Sequence, residues 1–222
     1  MKLKHKKWLA NFAFDAVDTV LNIIITIGIV FFIRSFVVTP FQINGSSMDN
    51  TMHHNEYIIV SKISYSNLLG FQFGAPKRGD IVVFRPPINR EVYYIKRVIG
   101  LSGETLKFTN EGVIVYNKES QGDKILKETY VQCLEQTENG PVNHCDYSGL
   151  LKKEFKVPEG HYFVMGDNRN NSTDSRQCFY SCNSPEATNY VPRANIVGKT
   201  ALVAWPFHNF QVIHAYNYQP SQ

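Results

Sequence analysis

The sequence predicts a mainly β domain preceded by one N-terminal membrane helix. Three observations favour this fold class: a long uncharged run near the N-terminus, short apolar segments bounded by turn residues in the rest of the chain, and no convincing second helical pattern. The 222 residues suffice for one core of moderate size or two small ones. A composition of 43% hydrophobic and 19% charged residues argues against disorder.

The uncharged run, Thr19–Ile33, predicts the membrane helix. Its 15 residues would span only about 22 Å as a helix, which is short of a hydrocarbon core of roughly 30 Å. Extension to residues 16–38 gives about 34 Å, with Asp18 and Arg34 reaching toward the two interfaces. A cleavable signal peptide is the alternative, but it needs small residues at the end of the run, where the chain has Phe36 and two valines. We therefore predict an uncleaved single-pass anchor.

The basic residues set the predicted orientation of this anchor. The net charge is +4, and four of the 23 basic residues lie in the first seven positions. After Arg34, no Lys or Arg occurs before Lys62. The positive-inside rule then places residues 1–15 in the cytoplasm and residues 40–210 on the outer face of the plasma (inner) membrane, followed by a tail at 211–222. Because the exported part is nearly balanced in charge, no nucleic-acid partner is expected.

All four cysteines fall in the exported part, where disulfides can form. Four cysteines allow three pairings, and short loops close most easily, which favours Cys133–Cys145 and Cys178–Cys182. A zinc site that includes His144 is the alternative, although its spacing does not resemble that of a zinc finger.

Six apolar segments of the exported part predict strands, and a polar region between them predicts an insertion. The predicted strands are residues 56–63, 80–87, 91–100, 112–117, 161–165 and 196–207. Residues from about 107 to 157, which hold two of the cysteines, are expected to form a smaller inserted subdomain. Several apolar residues are expected either to pack in the core or to enter the bilayer. They are Leu68, Leu69, Phe71, Phe73, Trp205 and Phe207.

The segment YYIKRVIG, Tyr93–Gly100, places a lysine among apolar residues. An edge strand with an exposed Lys96 is the ordinary explanation. In the alternative, burial lowers the pKa of the Lys96 amine, and the neutral amine acts as a general base. Strand alternation puts Lys96 and Arg97 on opposite faces, so one is expected to point inward while the other remains in solvent.

The block GDNRNNSTDSR, Gly166–Arg176, carries more hydrogen-bonding side chains than a turn needs. A calcium loop requires oxygen ligands at alternate positions and a glycine sixth, but here Arg169 is third and Ser172 is sixth. Overlapping Asn-x-Ser/Thr sequons give only weak evidence for glycan attachment. We favour a network of charge pairs that holds the loop, with Ser172 orienting the amine of Lys96. The network comprises Asp167, Arg169, Asp174 and Arg176.

The polar stretch NGSSMDNTM, Asn44–Met52, follows the predicted membrane helix and is either a linker or the source of a nucleophile. A serine nucleophile needs a base, and the chain has no Gly-x-Ser-x-Gly elbow. A triad through His53 or His54 needs an acid that the sequence does not reveal. A Ser–Lys pair needs fewer groups, which favours one of the two adjacent serines of this stretch with Lys96.

Together these motifs resemble the bacterial type I signal peptidases (leader peptidases), which are membrane-anchored serine proteases with a Ser-Lys dyad. In that family a Ser-Met motif after the membrane segment carries the nucleophile, and it matches Ser47 and Met48. A Tyr-Ile-Lys-Arg strand carries the base and matches Lys96. The block Gly166–Arg176 differs from the family motif only at Asn170, and RGDIVVF and IVGKTALVAWP match further blocks.

The resemblance implies roles for further residues. Ser172 resembles the serine that positions the lysine, and Asp174 and Arg176 resemble its ion-pair partners. Some members have a serine that helps to bind the oxyanion where this chain has Gly45, so the second donor must be backbone, water or the next serine. The family often has Pro where this chain has Asn50, which predicts a less rigid loop.

The implied activity is removal of N-terminal signal peptides from exported preproteins through an acyl-enzyme. Small residues are expected at the first and third positions before the cut, and no metal or cofactor is expected. The chain is expected to act as a monomer in contact with the lipid bilayer. Three alternatives remain: a Ser–Lys peptidase that matures a restricted set of substrates, an inactive membrane-anchored peptide-binding β domain, and a purely structural disulfide-bonded domain.

Overall fold

The computed structural model describes residues 2–68, 71–116, 124–131, 133–137, 140–143 and 145–218. The chain divides into two units, residues 1–39 and residues 40–222. The first unit contains helix α1 (Lys2–Phe32) and a π-helical turn, Ile33–Val37. Within it, Asp15–Val37 is long and apolar enough to cross a membrane, by length and composition. Helix α1 begins at Lys2, so the basic stretch expected before the anchor continues the same helix.

Sixteen strands are formed by the described residues. They are β1 (Val38–Gln42), β2 (Tyr57–Ser61), β3 (Asn67–Leu68), β4 (Phe71–Gln72), β5 (Ile81–Phe84), β6 (Tyr94–Gly100), β7 (Thr105–Thr109), β8 (Gly112–Tyr116), β9 (Lys124–Ile125), β10 (Leu134–Thr137), β11 (Gly140–Asn143), β12 (Glu154–Lys156), β13 (His161–Met165), β14 (Val191–Pro192), β15 (Ile196–Trp205) and β16 (Gln211–Val212). The prediction of a mainly β chain with one N-terminal apolar helix is confirmed.

The main sheet has eight strands in the order β1-β2-β15-β5-β6-β13-β14, with β16 added to β15. All six predicted strands are present as β2, β5, β6, β8, β13 and β15, with ends shifted by a few residues. Strand β5 ends at Phe84, shortly before two prolines that cannot donate to a ladder. Strand β6 lies between β5 and β13, and its residues become buried toward Gly100.

A second sheet, in the order β12-β7-β8-β9, comes from the region where the sequence predicts an insertion. Strand β7 was not expected, because LSGETL predicts only a turn; Thr105–Thr109 nevertheless alternates between buried and half-buried residues. The core between the two sheets includes Leu106, Phe108 and Phe155 from the second sheet and Phe163 from β13. This shared core fixes the second sheet against the strand that leads into the block Gly166–Arg176.

The chain contains two disulfides, Cys133–Cys145 and Cys178–Cys182, which is the pairing that short loops favour. With every cysteine in a disulfide, no thiolate remains to bind zinc. His144, the other candidate zinc ligand, lies outside the described residues.

The end of the chain packs onto the domain as far as residue 218. Strand β16 pairs with β15, and Ile213 is buried in the core beside β2 and β5. The Tyr216 N–H donates to the carbonyl oxygen of Gly79 (3.2 Å). The sequence predicts a tail at residues 211–222. These contacts instead make residues 211–218 part of the folded domain.

Candidate active site

A pocket of about 440 Å³ lies beside Ser47 and Lys96. One wall is the segment from Phe41 to Ser47, and the other is the start of β6 with Tyr93 before it. Apolar side chains reach the interior, including those of Ile58 from β2 and Val83 from β5. Ser47 and Lys96 are separated by 49 positions in sequence, and the sheet brings them to the same pocket.

The Lys96 amine donates a hydrogen bond to the Ser47 hydroxyl, with 2.6 Å between Nζ and Oγ. Its second acceptor is the carbonyl oxygen of Ile95 at 2.9 Å. Lys96 is only 4% exposed, whereas Ser47 is half-buried and faces the pocket. The exposed edge-strand explanation for Lys96 is therefore wrong.

Burial lowers the pKa of the Lys96 amine from 10.5 to about 8, because desolvation disfavours the ammonium form. The carboxylates of Asp174 and Asp167 oppose this effect, and the cation of Arg176 adds to it. At neutral pH, roughly one amine in ten is then unprotonated. Such an amine can accept a proton from a hydroxyl 2.6 Å away.

The expectation that Lys96 and Arg97 divide between the interior and solvent is wrong. Arg97 is 3% exposed, and its guanidinium forms two hydrogen bonds with the Asp167 carboxylate, at 2.8 and 2.6 Å. A third bond reaches the carbonyl oxygen of Gly79 at 2.9 Å, and the cation lies 4.0 Å from the ring centroid of Tyr130. Alternation puts the two side chains on opposite faces, but both faces are covered here, so Arg97 is buried through pairing.

The four charged residues of the block form ion pairs as predicted, but two of them pair with residues outside the block. Asp174 and Arg176 pair with each other as expected, at 2.9 Å. Asp167 instead pairs with Arg97 of β6. Arg169 forms a two-bond pair with Glu128, at 2.7 and 2.5 Å, from the inserted region. Partners so distant in sequence cannot be found from the spacing within an eleven-residue motif.

Ser172 is buried, and its hydroxyl donates a hydrogen bond to Asp174 Oδ2 at 2.7 Å. The sequence predicts that Ser172 orients the Lys96 amine, but among the described residues that amine is hydrogen-bonded to Ser47 and Ile95 and not to Ser172. Burial alone would raise the pKa of Asp174, but Arg176 and the hydrogen bonds that the carboxylate accepts lower that pKa below its ordinary value. The carboxylate therefore remains charged near the lysine.

The turn that carries Ser47 is held from several sides. Met48 is buried in the core, and the backbone N–H of Asn168 donates to the Ser47 carbonyl oxygen at 3.1 Å. The hydroxyl of Thr51 donates to Asp167 Oδ2 at 2.6 Å. Gly166 lies so close that an added Cβ would be 2.5 Å from the same Ser47 carbonyl oxygen. Sequence reasoning missed Thr51 and Asn168, because single polar residues in polar segments give no signal of their own.

Asn50, where the missing proline predicts a less rigid loop, has a left-handed backbone and a side-chain hydrogen bond. It has φ +86°, a left-handed conformation that proline cannot adopt. Its side-chain amide donates to the Tyr130 carbonyl oxygen at 2.6 Å, which ties the turn to the inserted region. Gly45 also has a positive φ, +122°, and its N–H donates to Nδ1 of His54 at 3.1 Å. The backbone at Gly45 would therefore strain any side chain placed there.

A serine hydroxyl hydrogen-bonded to a buried amine of lowered pKa, in an open pocket, is the arrangement of a serine hydrolase. Comparison with known proteins identifies a family within this class. The family model "Signal peptidase, peptidase S26" matches residues 16–205. Signal peptidase I of Pseudomonas fluorescens is 39% identical over 196 residues, which cover 80% of this chain and 69% of that protein. Signal peptidase IB of Staphylococcus aureus (strain MRSA252) is 30% identical over 206 residues, which cover 93% and 96%.

The chain belongs to the signal peptidase family, peptidase S26. It is accordingly a hydrolase and a serine endopeptidase, and the resemblance read from its motifs is confirmed. A solved structure of a signal peptidase I from Enterococcus faecalis V583 is 27% identical, with a TM-score of 0.33 over 56% of this chain and 95% of that chain.

Proposed function

We propose that this protein removes N-terminal signal peptides from exported preproteins, with Ser47 as nucleophile and Lys96 as general base. The observation that carries the proposal is the 2.6 Å hydrogen bond between Lys96 Nζ and Ser47 Oγ in a site where the amine is buried. The names of the family and of its relatives supply the substrate class.

In the proposed mechanism, neutral Lys96 takes the proton from the Ser47 hydroxyl as its oxygen attacks the scissile carbonyl. The resulting lysine ammonium gives a proton to the leaving amine, and the peptide remains as an ester on Ser47. Lys96, neutral again, then activates a water that hydrolyses the ester and regenerates the free hydroxyl. Asp174 supports the ammonium form electrostatically without contacting the substrate.

The oxyanion of each tetrahedral intermediate requires hydrogen-bond donors. Among the described residues, the backbone N–H of Ser47 has no acceptor, and the hydroxyl of the exposed Ser46 has no partner. Both groups lie beside the nucleophile. We propose them as the two donors, with Ser46 in place of the hydroxyl that is missing at Gly45.

The substrate is proposed to bind as an added strand. Residues 94–97 of β6 pair with β5 on one side, whereas on the other side the pairing with β13 ends at Arg97. The edge from Tyr94 to Lys96 therefore has no strand partner among the described residues, and it faces the pocket where a peptide backbone can pair. The apolar interior near Ile95 and Ile43 suits the small residues expected at the first and third positions before the cut.

We also propose that the apolar helix anchors the protein as a single span, with the N-terminus cytoplasmic and the catalytic domain outside. Its length, the lysines before it and the two disulfides after it support this orientation. Trp205 and Phe207 are 51% and 74% exposed and are proposed to contact the bilayer. Phe73 is likewise exposed, whereas Leu69 lies outside the described residues.

The test is cleavage of a purified preprotein in detergent by the wild-type chain and by Ser47→Ala and Lys96→Met. Cleavage after a small residue by the wild type but by neither variant would support the dyad. Ser102→Ala is the matched control and should remain active, because among the described residues the Ser102 hydroxyl bonds only to the His161 carbonyl oxygen, at 3.1 Å.

The same assay separates the alternatives. Equal inactivity of all folded forms on several preproteins would favour the inactive peptide-binding domain. Cleavage of one preprotein among many would favour the substrate-restricted peptidase. Undiminished cleavage by Ser47→Ala or by Lys96→Met would overturn the assignment of the dyad.

A further inference from the structure

Beside Tyr93, which lines the pocket, lies a cation that the proposed mechanism does not use. Arg85 follows β5 and is exposed, and its guanidinium donates to the Tyr93 hydroxyl at 2.7 Å. The same cation lies 5.1 Å from the centroid of the Tyr93 ring. Among the described residues, no carboxylate pairs with Arg85. Its charge is therefore available to a ligand that extends past Tyr93.

The backbone of Arg85 is fixed by Asn195, and its guanidinium is bonded to Tyr93. Its backbone N–H donates to the Asn195 carbonyl oxygen, and the Asn195 side-chain amide donates back to the Arg85 carbonyl oxygen, both at 3.0 Å. The Tyr93 ring packs edge-on against Phe41, with 5.0 Å between centroids. Phe41 and Tyr93 both line the pocket. The three side chains form a rim, defined here as Phe41, Arg85 and Tyr93.

The position of this rim along a bound peptide follows from strand geometry and rests on the proposed function. Tyr93 precedes Lys96 by three residues, which corresponds to about 10 Å along an extended chain. A substrate strand beside β6, with its scissile carbonyl at Ser47, would bring the fourth residue from the cut level with Tyr93. Since the apolar interior takes the residues before the cut, the rim lies on the N-terminal side, and the length of Arg85 extends its reach to the sixth residue.

We propose that Arg85, held by Tyr93, selects an acidic side chain and disfavours a basic one at the fourth to sixth positions before the cut. An exposed cation discriminates modestly and in a salt-dependent manner. We expect kcat/KM to differ between an acidic and a basic substrate by roughly twofold to fivefold at the most responsive position. Higher salt should reduce that ratio.

The experiment compares variants of one preprotein that carry Asp, Asn or Lys singly at the fourth, fifth and sixth positions before the cut. They are cleaved by the full-length wild-type enzyme and by Arg85→Glu in detergent at low salt. The wild type should prefer Asp at one or more positions, and Arg85→Glu should prefer Lys there. Arg85→Lys, which keeps the charge but not the planar guanidinium, should keep the sign of the preference with a smaller ratio.

Lys152→Glu is the matched control, because Lys152 is also exposed and lies in the turn before β12, away from the pocket lining. It changes the net charge by the same amount and should leave the wild-type ratio unchanged. An equal Asp-to-Lys ratio for wild type and Arg85→Glu at all three positions would overturn the rim proposal, while cleavage itself would leave the proposed function standing. Absence of cleavage of every variant by the wild type would overturn both.

Discussion

At the scale of single residues, one buried amine is central to the proposed chemistry. Lys96 is held in an apolar site, and the carboxylate of Asp174 offsets only part of its desolvation. The lowered pKa is useful to a general base because the neutral form becomes accessible near physiological pH. It is also unfavourable for folding, because the unfolded chain keeps an ordinary lysine.

The first prediction concerns the pH dependence of cleavage. Because the pKa of Lys96 is lowered to about 8, kcat/KM should rise with pH and level off above about pH 8. An ordinary lysine would place this rise near pH 10.5. The measurement is a pH–rate profile for one preprotein, with folding checked at each pH. A profile that still climbs steeply above about pH 9 would contradict a buried base.

The second prediction concerns stability. Between about pH 8 and 10.5 the unfolded lysine binds a proton and the folded one does not, so the free energy of unfolding should rise with pH in that window. Lys96→Met removes this dependence and should be more stable than the wild type at about pH 7, by an amount on the order of 3 kcal/mol if packing is kept. Thermal melts at about pH 7 and pH 10 would measure the gap, which should narrow at the higher pH.

The third prediction concerns Gly166, which has no side chain that could take part in the reaction. A Cβ there would crowd the Ser47 carbonyl oxygen and the Ser172 hydroxyl, so Gly166→Ala should displace the nucleophile and lower kcat about a hundredfold. Gly149→Ala is the control, because a Cβ at Gly149 meets nothing within 4 Å. Equal activity of the two variants would mean that the turn tolerates displacement.

At the scale of elements, the turn from Ser47 to Met52 and the block from Gly166 to Arg176 work as a pair. The turn carries the proposed nucleophile, and the block supplies bonds to its backbone through Asn168 and to Thr51 through Asp167. Neither segment has a regular ladder, so side chains and buried charge pairs fix its shape. This explains why the polar composition of both segments exceeds what a surface loop requires.

The fourth prediction tests the shape of the turn at Asn50. Asn50→Pro replaces φ +86° by a ring fixed near −65°, and it should cost roughly 1–3 kcal/mol of stability and most of the activity. Asn50→Gly accepts the left-handed conformation and loses only the bond to Tyr130, so a cost of about 1 kcal/mol is expected. Denaturant titration and cleavage rate measure both variants. A proline variant as stable as the glycine variant would show that the turn can rearrange.

At the scale of the whole molecule, the sheet arrangement decides which segments meet. Strand β6 lies inside the main sheet and carries Lys96 and Arg97 to opposite faces, where both are buried. The inserted region reaches the site through Glu128 and the Tyr130 ring, which contact Arg169 and Arg97. An insertion that looks peripheral in the sequence therefore helps to hold the block Gly166–Arg176.

The fifth prediction concerns the membrane surface. If Trp205 contacts the bilayer, its fluorescence should be quenched by brominated lipid when the full chain is reconstituted in vesicles, with Trp8→Phe removing the other tryptophan. The control moves the probe to Tyr180, which is 83% exposed, by combining Tyr180→Trp with Trp205→Phe and Trp8→Phe. Quenching of the control alone, or of neither protein, would show that Trp205 does not contact the bilayer.

The class of this protein could be predicted from the sequence alone, since hydrophobic periodicity predicts the helix and the longer strands, and the order of three motifs identifies the family. The sequence also pointed to Lys96 through its position in an apolar strand, and to Ser47 through the Ser-Met motif that follows the membrane segment. The burial of Arg97 against Asp167 and the left-handed turn at Asn50 became evident only from the folded chain. These features depend on contacts between segments far apart in the chain and on backbone dihedral angles, neither of which leaves a local pattern in the sequence.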